Sequence, residues 1–315
     1  MGFEILVGAV IAGASAGMAA AATFSVMTAV AIGMAAGAMT LIASTVGAPK
    51  TPKVQSPDNA VTLGTSNDPK TVLPVLFGTT RTGAICVYKA ISQRENNKLV
   101  QIFAIAEGEI DHFKALHIDN KNVLISQNMT IRDGILDKGN IKDEYRKVLE
   151  VEFRTGKNPN TALDLAKHHL GADWDDRYQG NGIATMCIVL RRDDKSLAAG
   201  VDILQPNSQV AVDVMGLKIR NLETNAIEAS TNGVDQIFHY LTNTKYGLSV
   251  PIENINVDSF LKVRKQVRQM DLHSNGACDP NASFKENLTS LMQTFGGVMF
   301  ESFGRITLKL DAPDI

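Results

Sequence analysis

The first part of the chain is an uncharged, alanine-rich segment that cannot be left exposed to water. No Asp, Glu, Lys or Arg occurs between Ile5 and Pro49, and residues 5–46 include 14 alanines and 5 glycines. A single helix through residues 5–46 would be about 63 Å long at 1.5 Å per residue. That is roughly twice the ~30 Å hydrocarbon thickness of a bilayer. The sequence therefore predicts an apolar helical segment over residues 1–48 that is buried in lipid or in protein.

Two GxxxG patterns lie in this segment, one from Gly13 to Gly17 and one from Gly33 to Gly37. Such spacing leaves a shallow groove on one helix face, so that two backbones approach closely in a membrane. The same small residues also permit tight packing against copies of the chain or inside a protein tube. The pattern is therefore compatible both with a membrane and with burial inside a protein assembly.

The remainder of the chain has the charge balance of an ordinary soluble protein. All 31 basic residues and all 33 acidic residues except Glu4 follow Pro49, and the whole chain carries a formal charge of −2. A protein specialised for nucleic acid needs a basic surface to displace counterions, so this balance disfavours sequence-specific nucleic-acid binding. Cys86, Cys187 and Cys278 lie far apart and have no CxxC spacing, which disfavours a zinc site. A chain of this size has core enough without disulfides, so a disulfide scaffold is excluded.

A proline- and glycine-rich linker over residues 49–71 separates the apolar segment from a body over residues 72–315. Short β-branched and apolar runs dominate the first half of the body and predict strands. These runs are residues 71–89, 100–106, 113–118, 123–125, 148–154, 183–191 and 209–219. A turn is expected at Asn120-Lys121-Asn122, with Asn120 following an edge strand.

Helices are expected mainly later in the body. Apolar positions recur at helical spacing over residues 161–170, 234–241 and 258–270. Ser283 and Glu286 fit a capping box that opens a further helix, which ends at Gly296-Gly297. Residues 298–303 and 306–310 then predict a β-hairpin. The expected class is α+β, with β-barrel-like, strand-rich subdomains, interspersed helices and the apolar helical segment in front.

No motif in the chain predicts catalysis. Residues 13–17 match the GxSxG nucleophile elbow, but no strand precedes them, as that motif requires. His168-His169 followed by Asp173, Asp175 and Asp176 reads as a solvated helix end, since adjacent histidines on a helix point about 100° apart. His273 and Cys278 have nothing that brings them together as a thiol–imidazole pair. The sequence predicts no enzyme, and no catalytic, cofactor-binding or metal-binding residue.

Four short segments resemble one protein family in order and spacing. Residues 73–84 read LPVLFGTTRTGA and resemble the opening pattern P-x-x-Y-G-x-x-R-x-G-G, with Phe77 in place of the Tyr and Ala84 in place of the second Gly. Residues 106–110, AEGEI, and 116–120, LHIDN, resemble its GEGEI…I-x-I-D signature. Residues 240–248 read YLTNTKYGL and resemble its YLTNxxYGxG segment, and residues 288–310 resemble its closing helix–Gly–hairpin. The family is that of the phage central tail-tip (baseplate hub) proteins, the lambda host-specificity protein J group.

This resemblance implies a structural role in a virion, at the tip of the tail. Such proteins form a homotrimer that closes the tail tube, with two similar β-barrel domains per chain, and they open for DNA passage into the host. The implied partners are distal tail and tail-tube proteins, the tape-measure protein, and tail-fibre or receptor-binding proteins. The segments after Gly78 and around residues 107–110 are expected to face the tube. Residues 5–46 are expected to line the hub or to contact the host membrane during DNA delivery.

A second reading of the same sequence is a membrane-anchored bacterial protein. In that reading residues 5–46 are the anchor, and the body is an external α+β binding domain. A cell-wall hydrolase is disfavoured because no carboxylate pair or metal site stands out.

Overall fold

The computed structural model describes residues 65–66, 71–192 and 208–311. The predictions for residues 1–48, and for most of the linker 49–71, lie outside these residues. Within the described part strands predominate and the α-helices lie in the second half of the chain, so the α+β class with a strand-rich first half is confirmed. No described helix is long and apolar enough to cross a membrane.

The described residues divide into two units, each of which is compact in itself. A strand-rich unit comprises residues 65–218 and 275–280, and a helical unit comprises residues 219–274 and 281–311. The elements of the strand-rich unit are β1 (Val75–Phe77), β2 (Thr79–Gly83), β3 (Ile85–Ile91), β4 (Lys98–Glu107), β5 (Ile110–Ile118), β6 (Lys121–Asn122), β7 (Gly134–Ile135), β8 (Leu149–Arg154), α1 (Asp164–Leu170), β9 (Ile183–Arg191), β10 (Val210–Arg220) and β12 (Gly276–Cys278).

Two larger antiparallel sheets build the strand-rich unit, and β1 pairs with β12 in a small third one. The first has the strand order β3–β4–β9–β8–β7, and in the second β2 and β5 both pair with β10, while β6 pairs with β5. One apolar cluster takes residues from both sheets, including Phe113 of β5 and Phe153 of β8, whose ring centroids lie 4.6 Å apart. The two sheets therefore share a single core.

Helix α1 covers the outer face of the first sheet. Its residues Leu165, Ala166 and Leu170 pack against Val100 and Ile102 of β4. With the shared core on one face and α1 on the other, β4 is buried at every position from residue 100 to residue 106. A strand buried on both faces reads as a continuous apolar run, which is why the sequence predicted it well.

Helix α1 is shorter than predicted, because it begins at Asp164 rather than at residue 161. Its N-cap residue, Leu163, has no side chain that can cap the helix. The carboxylate of Glu152 on β8 caps it instead, accepting from the backbone N–H groups of Asp164 at 2.9 Å and Leu165 at 2.7 Å. Arg154 lies 2.6 Å from the same carboxylate, and both side chains are buried.

The turn predicted at residues 120–122 lies one residue earlier. Asp119 and Asn120 have φ values of 49° and 63°, and the next two residues already form β6. Two successive positive φ values give the type I′ turn that suits a two-residue hairpin. The edge-strand prediction for β5 is wrong, since β5 lies between β10 and β6.

The helical unit contains β11 (Ile227–Ala229), α2 (Gly233–Thr242), α3 (Val257–Gln269), α4 (Phe284–Gln293), β13 (Gly297–Ser302) and β14 (Arg305–Leu310). Its core helix is α2, which contacts both α3 and α4. The capping box of Ser283 and Glu286 is confirmed at the start of α4. The hairpin of β13 and β14 is also confirmed, with full pairing from Gly297–Leu310 to Ser302–Arg305.

Candidate functional site

The arginine of the first resembling segment is the centre of a three-residue charge cluster. Arg81 on β2 lies directly opposite Asp213 on β10. Its Nε donates to Asp213 Oδ1 at 2.6 Å and its Nη2 donates to Oδ2 at 2.9 Å, a bidentate pair. His117 on β5 places Nε2 2.9 Å from Asp213 Oδ2 and 2.9 Å from Arg81 Nη2. The cluster thus ties together three neighbouring strands of the second sheet.

The electrostatics of this cluster favour the ionised carboxylate. Partial burial of Asp213 acts to raise its pKa, but hydrogen bonds from Arg81 and His117 outweigh burial and hold the pKa below its usual value. The same pair raises the pKa of Arg81, chiefly through its hydrogen bond to Asp213. The charges of Arg81 and Asp213 therefore neutralise each other, as expected of residues that hold neighbouring strands in register.

We expect Asp213→Asn to destabilise the protein by about 1 kcal/mol at pH 7, because the charged pair with a partly exposed arginine becomes a neutral one. A carboxyl whose folded pKa is depressed contributes stability above its unfolded pKa, near 3.8, and loses it as the pH falls through the lower folded value. The difference between wild type and variant should therefore shrink below about pH 4. Urea unfolding from pH 7 to pH 3 measures it, and a pH-independent difference would contradict the assignment.

The second resembling segment forms the tight turn between β4 and β5. Gly108 has a φ of 86°, and its N–H donates to the carbonyl of Gly182 at 2.8 Å. Glu109 pairs with Lys218 at 2.7 Å. Gly156, at a φ of 89°, packs its backbone against the carbonyl oxygen of Gly108. Three glycines with positive φ therefore meet where the two sheets join.

The third resembling segment ends helix α2 and turns the chain back. The side-chain oxygen of Asn243 accepts from the N–H groups of Lys245 and Tyr246 at 2.9 and 3.0 Å. A Cβ on Gly247 would collide with the carbonyl oxygen of Tyr240, so only glycine fits there. The Tyr246 hydroxyl lies 2.6 Å from Nε2 of His239, whose pKa is lowered to about 4 by burial. This histidine is neutral at pH 7, and its Nε2 shares a hydrogen bond with the Tyr246 hydroxyl.

The histidines at the end of α1 and the aspartates that follow it do not come together in the structure. His169 is buried with Nδ1 3.1 Å from Ser92 Oγ, and His168 packs edge-on against its ring. The three aspartates point to separate partners. These are Gln93 for Asp173, Arg177 for Asp175 and Lys167 for Asp176. Nowhere in residues 71–192 and 208–311 do three or more His, Cys, Asp or Glu side chains gather as metal ligands.

The structure gives separate contacts to Cys278 and His273, the two residues of the thiol–imidazole pair that the sequence disfavours. His273 Nδ1 contacts Thr231 Oγ1 at 3.0 Å. Cys278 is buried on β12, opposite Val75 of β1. Burial raises the pKa of its thiol to about 12.

We expect Cys278 to resist alkylation in the folded protein. A pKa near 12 rather than 9.0 lowers the thiolate fraction at pH 8 by about a thousandfold, and the thiolate is the reactive form. Labelling with iodoacetamide, followed by peptide mass spectrometry, should be at least about a hundredfold slower in the native protein than in urea. Equal rates in the two states would contradict the burial of this thiol.

A pocket of about 210 Å³ lies within the helical unit, between the strand β11, the start of α2 and the end of α3. Drug-sized ligand sites usually span about 300–1,000 Å³ and are mainly apolar. The walls of this one are polar, and Arg264 in its wall donates to buried Asp235 at 2.8 Å. Arg264 also pairs with Glu223. The arginine is thus committed to the ion pairs that join α3 to α2, and the pocket does not identify a ligand.

The GxSxG string and the apolar residues 5–46 lie outside the described residues. The residues that complete the clusters above, Asp213, Gly156 and Glu152, were not singled out from the sequence. Each is far along the chain from the group it serves, so no local pattern marks it.

Comparisons with known proteins find a likeness among solved structures. No protein family matches the sequence, and no curated protein matches it. Among solved structures, the chain is similar to one from the virion of a native gene transfer agent particle, with a TM-score of 0.45 and 12% identity. The match covers 84% of this chain and 60% of that chain, so this chain spans less than two thirds of the length of that chain. The likeness assigns the chain to no family.

Proposed function

We propose that the chain is a virion protein of a phage, and that it acts without catalysis as part of the tail tip. In this proposal three copies form a hub that closes the tail tube, attaches through neighbouring proteins to the host, and opens for DNA delivery. Its partners are distal tail and tube proteins, the tape-measure protein, and fibre or receptor-binding proteins. Contact with the host membrane is assigned to residues 5–46.

The observation that carries the proposal is what the residues of the resembling segments do. Arg81 fixes the register of β2 on β10, Gly108 allows the β4–β5 turn at a sheet junction, and Gly247 allows the chain to return against α2. The fourth segment forms the expected helix, glycine turn and hairpin. These residues hold backbone geometry and do not converge on one reacting centre. Such a pattern suits a protein whose function is its assembled shape.

Electron microscopy of labelled particles tests this proposal. Antibodies against residues 72–311 should decorate the end of the tail on tailed particles made by the strain that encodes the chain. Antibodies against a major capsid protein from the same particles serve as the control for label position. Decoration of the head alone, or no particle association, would contradict the tail-tip role.

A further inference from the structure

The loop after α1 carries a stack of aromatic rings that extends from the core to the surface. Tyr88 and Trp174 lie 5.7 Å apart between ring centroids, and both pack against the apolar cluster beneath α1. Tyr178 stacks on Trp174, at 4.6 Å and an interplanar angle of 20°. The indole covers one face of the Tyr178 ring, and the residue is still 46% exposed. The Tyr178 side chain therefore retains surface that a ligand can reach.

This stack is held in place by the loop around it. The N–H of Tyr178 donates to the carbonyl of Asp175 at 3.1 Å, and the Arg177 guanidinium pairs with the same residue's carboxylate at 2.7 Å. Asp173 accepts from Gln93 at 2.8 Å, and Asp176 pairs with Lys167 at 2.9 Å. These contacts tie Asp173 to Gln93 and Asp176 to α1, so the first half of the loop is held against the strand-rich unit. An exposed ring on such a loop is preorganised, so little ordering is lost when a ligand binds.

The stack also contains an unusual buried group. The indole Nε1 of Trp174 is buried and has no hydrogen-bond partner among the described residues. The ring is held by aromatic contacts, with Tyr88 and Tyr178 packed against it. Trp174 thus supports the partly exposed Tyr178 ring.

We propose that the Tyr178 face is a subsite for a neutral sugar ring. The C–H groups on one side of a pyranose carry partial positive charge and pack against the negative face of an aromatic ring. Carboxylates and amides beside the ring suit sugar hydroxyls, and Asp175, Asp176 and Gln179 stand next to Tyr178 in the chain. Asp176 is 84% exposed at its side chain, and an ionised carboxylate has acceptor sites beyond those used by one ion pair.

The negative charge of this loop favours a neutral sugar over anionic ligands. Residues 173–178 include three aspartates and one arginine, so the loop carries net negative charge. Nucleic acids, phosphate-rich polymers and acidic glycans would be repelled at short range. The inference does not depend on the tail-tip assembly, because the subsite lies within one unit of a single chain.

Titration of the full chain with neutral oligosaccharides tests the subsite. The protein is kept in a detergent without a sugar headgroup, and maltohexaose, cellohexaose and chitohexaose are added separately, with hexagalacturonate as the anionic control. Trp174 is the only tryptophan, so its emission reports directly on the stack, and calorimetry gives the affinity. At least one neutral sugar should bind saturably with a Kd of about 1 mM or tighter, and the anionic sugar should bind more weakly.

Three variants assign the effect to the ring face. Tyr178→Ala should weaken binding at least about tenfold, which corresponds to 1.4 kcal/mol. Tyr178→Phe keeps the aromatic face and should stay within about threefold of wild type. Ile227→Ala removes an exposed apolar side chain of the helical unit and should have no effect. Circular dichroism checks that all variants are folded.

The proposal is overturned if none of the three neutral sugars saturates at about 20 mM, if the anionic sugar binds best, or if Tyr178→Ala binds as wild type does. None of these results bears on the trimer or on its position in a particle, so the two proposals fail separately.

Discussion

Replacement of Gly156 by alanine should destabilise the strand-rich unit by more than about 3 kcal/mol. A Cβ at this position would lie 2.6 Å from the Gly108 carbonyl oxygen, 2.7 Å from the Ala184 nitrogen and 2.8 Å from the Ile183 carbonyl carbon. All three are backbone atoms of neighbouring strands and turns, so no side-chain movement relieves the collision. The φ of 89° adds strain for any residue with a Cβ. Urea unfolding followed by circular dichroism measures the loss.

Gly182→Ala is the matched control for this variant. Gly182 also has a positive φ, 71°, but a Cβ there meets nothing within 4 Å. It should cost only the conformational strain of about 1–2 kcal/mol. If the two variants lost the same stability, the close approach of backbones at Gly156 would not be the cause.

Glu152→Ala should cost about 3–5 kcal/mol, the usual loss when one partner of a buried ion pair is removed. The change removes the buried carboxylate that lies 2.6 Å from Arg154. The carboxylate partner that remains for Arg154 is Asp164, whose side chain is exposed. The change also uncaps the two backbone N–H groups that begin α1. Amide hydrogen exchange should show faster exchange in α1 than in the core strands, because the helix loses its only cap there.

The neighbouring acidic residue provides the comparison for this second variant. Glu150 is on the same strand and pairs with Lys98 at 3.2 Å, but its side chain is 27% exposed. Glu150→Ala should cost no more than about 1 kcal/mol. A Glu152→Ala loss as small as that of Glu150→Ala would contradict the assigned capping role.

Elements defined by neighbouring residues could be predicted from the sequence. The capping box of Ser283 and Glu286 spans four residues, and the hairpin after it turns on Phe303-Gly304, so a short window contains the whole signal. The run over residues 100–106 was equally clear, because burial on both faces leaves Gln101 as its single polar residue. The strand-rich class follows from these runs taken together.

Contacts between distant parts of the chain could not be predicted. Asp213 is 132 positions from Arg81, and nothing near either residue marks the pair. Helix α1 was placed too early because its cap comes from Glu152 on another element, and Leu163 at its N-cap position does not mark the start in the sequence. A glycine is required at position 156 only because backbone atoms of two other segments lie against it. In each case tertiary contact decides the role of the residue.

The central claim, a trimeric hub, is tested most directly by the mass of residues 50–315 in solution. Light scattering after gel filtration gives the mass, and negative-stain images of the same peak give the symmetry. The account predicts a particle of about 85–90 kDa, three copies of about 29 kDa, with closed three-fold rings. A particle of about 29 kDa that stays monomeric as its concentration is raised, with no ring in the images, would contradict it.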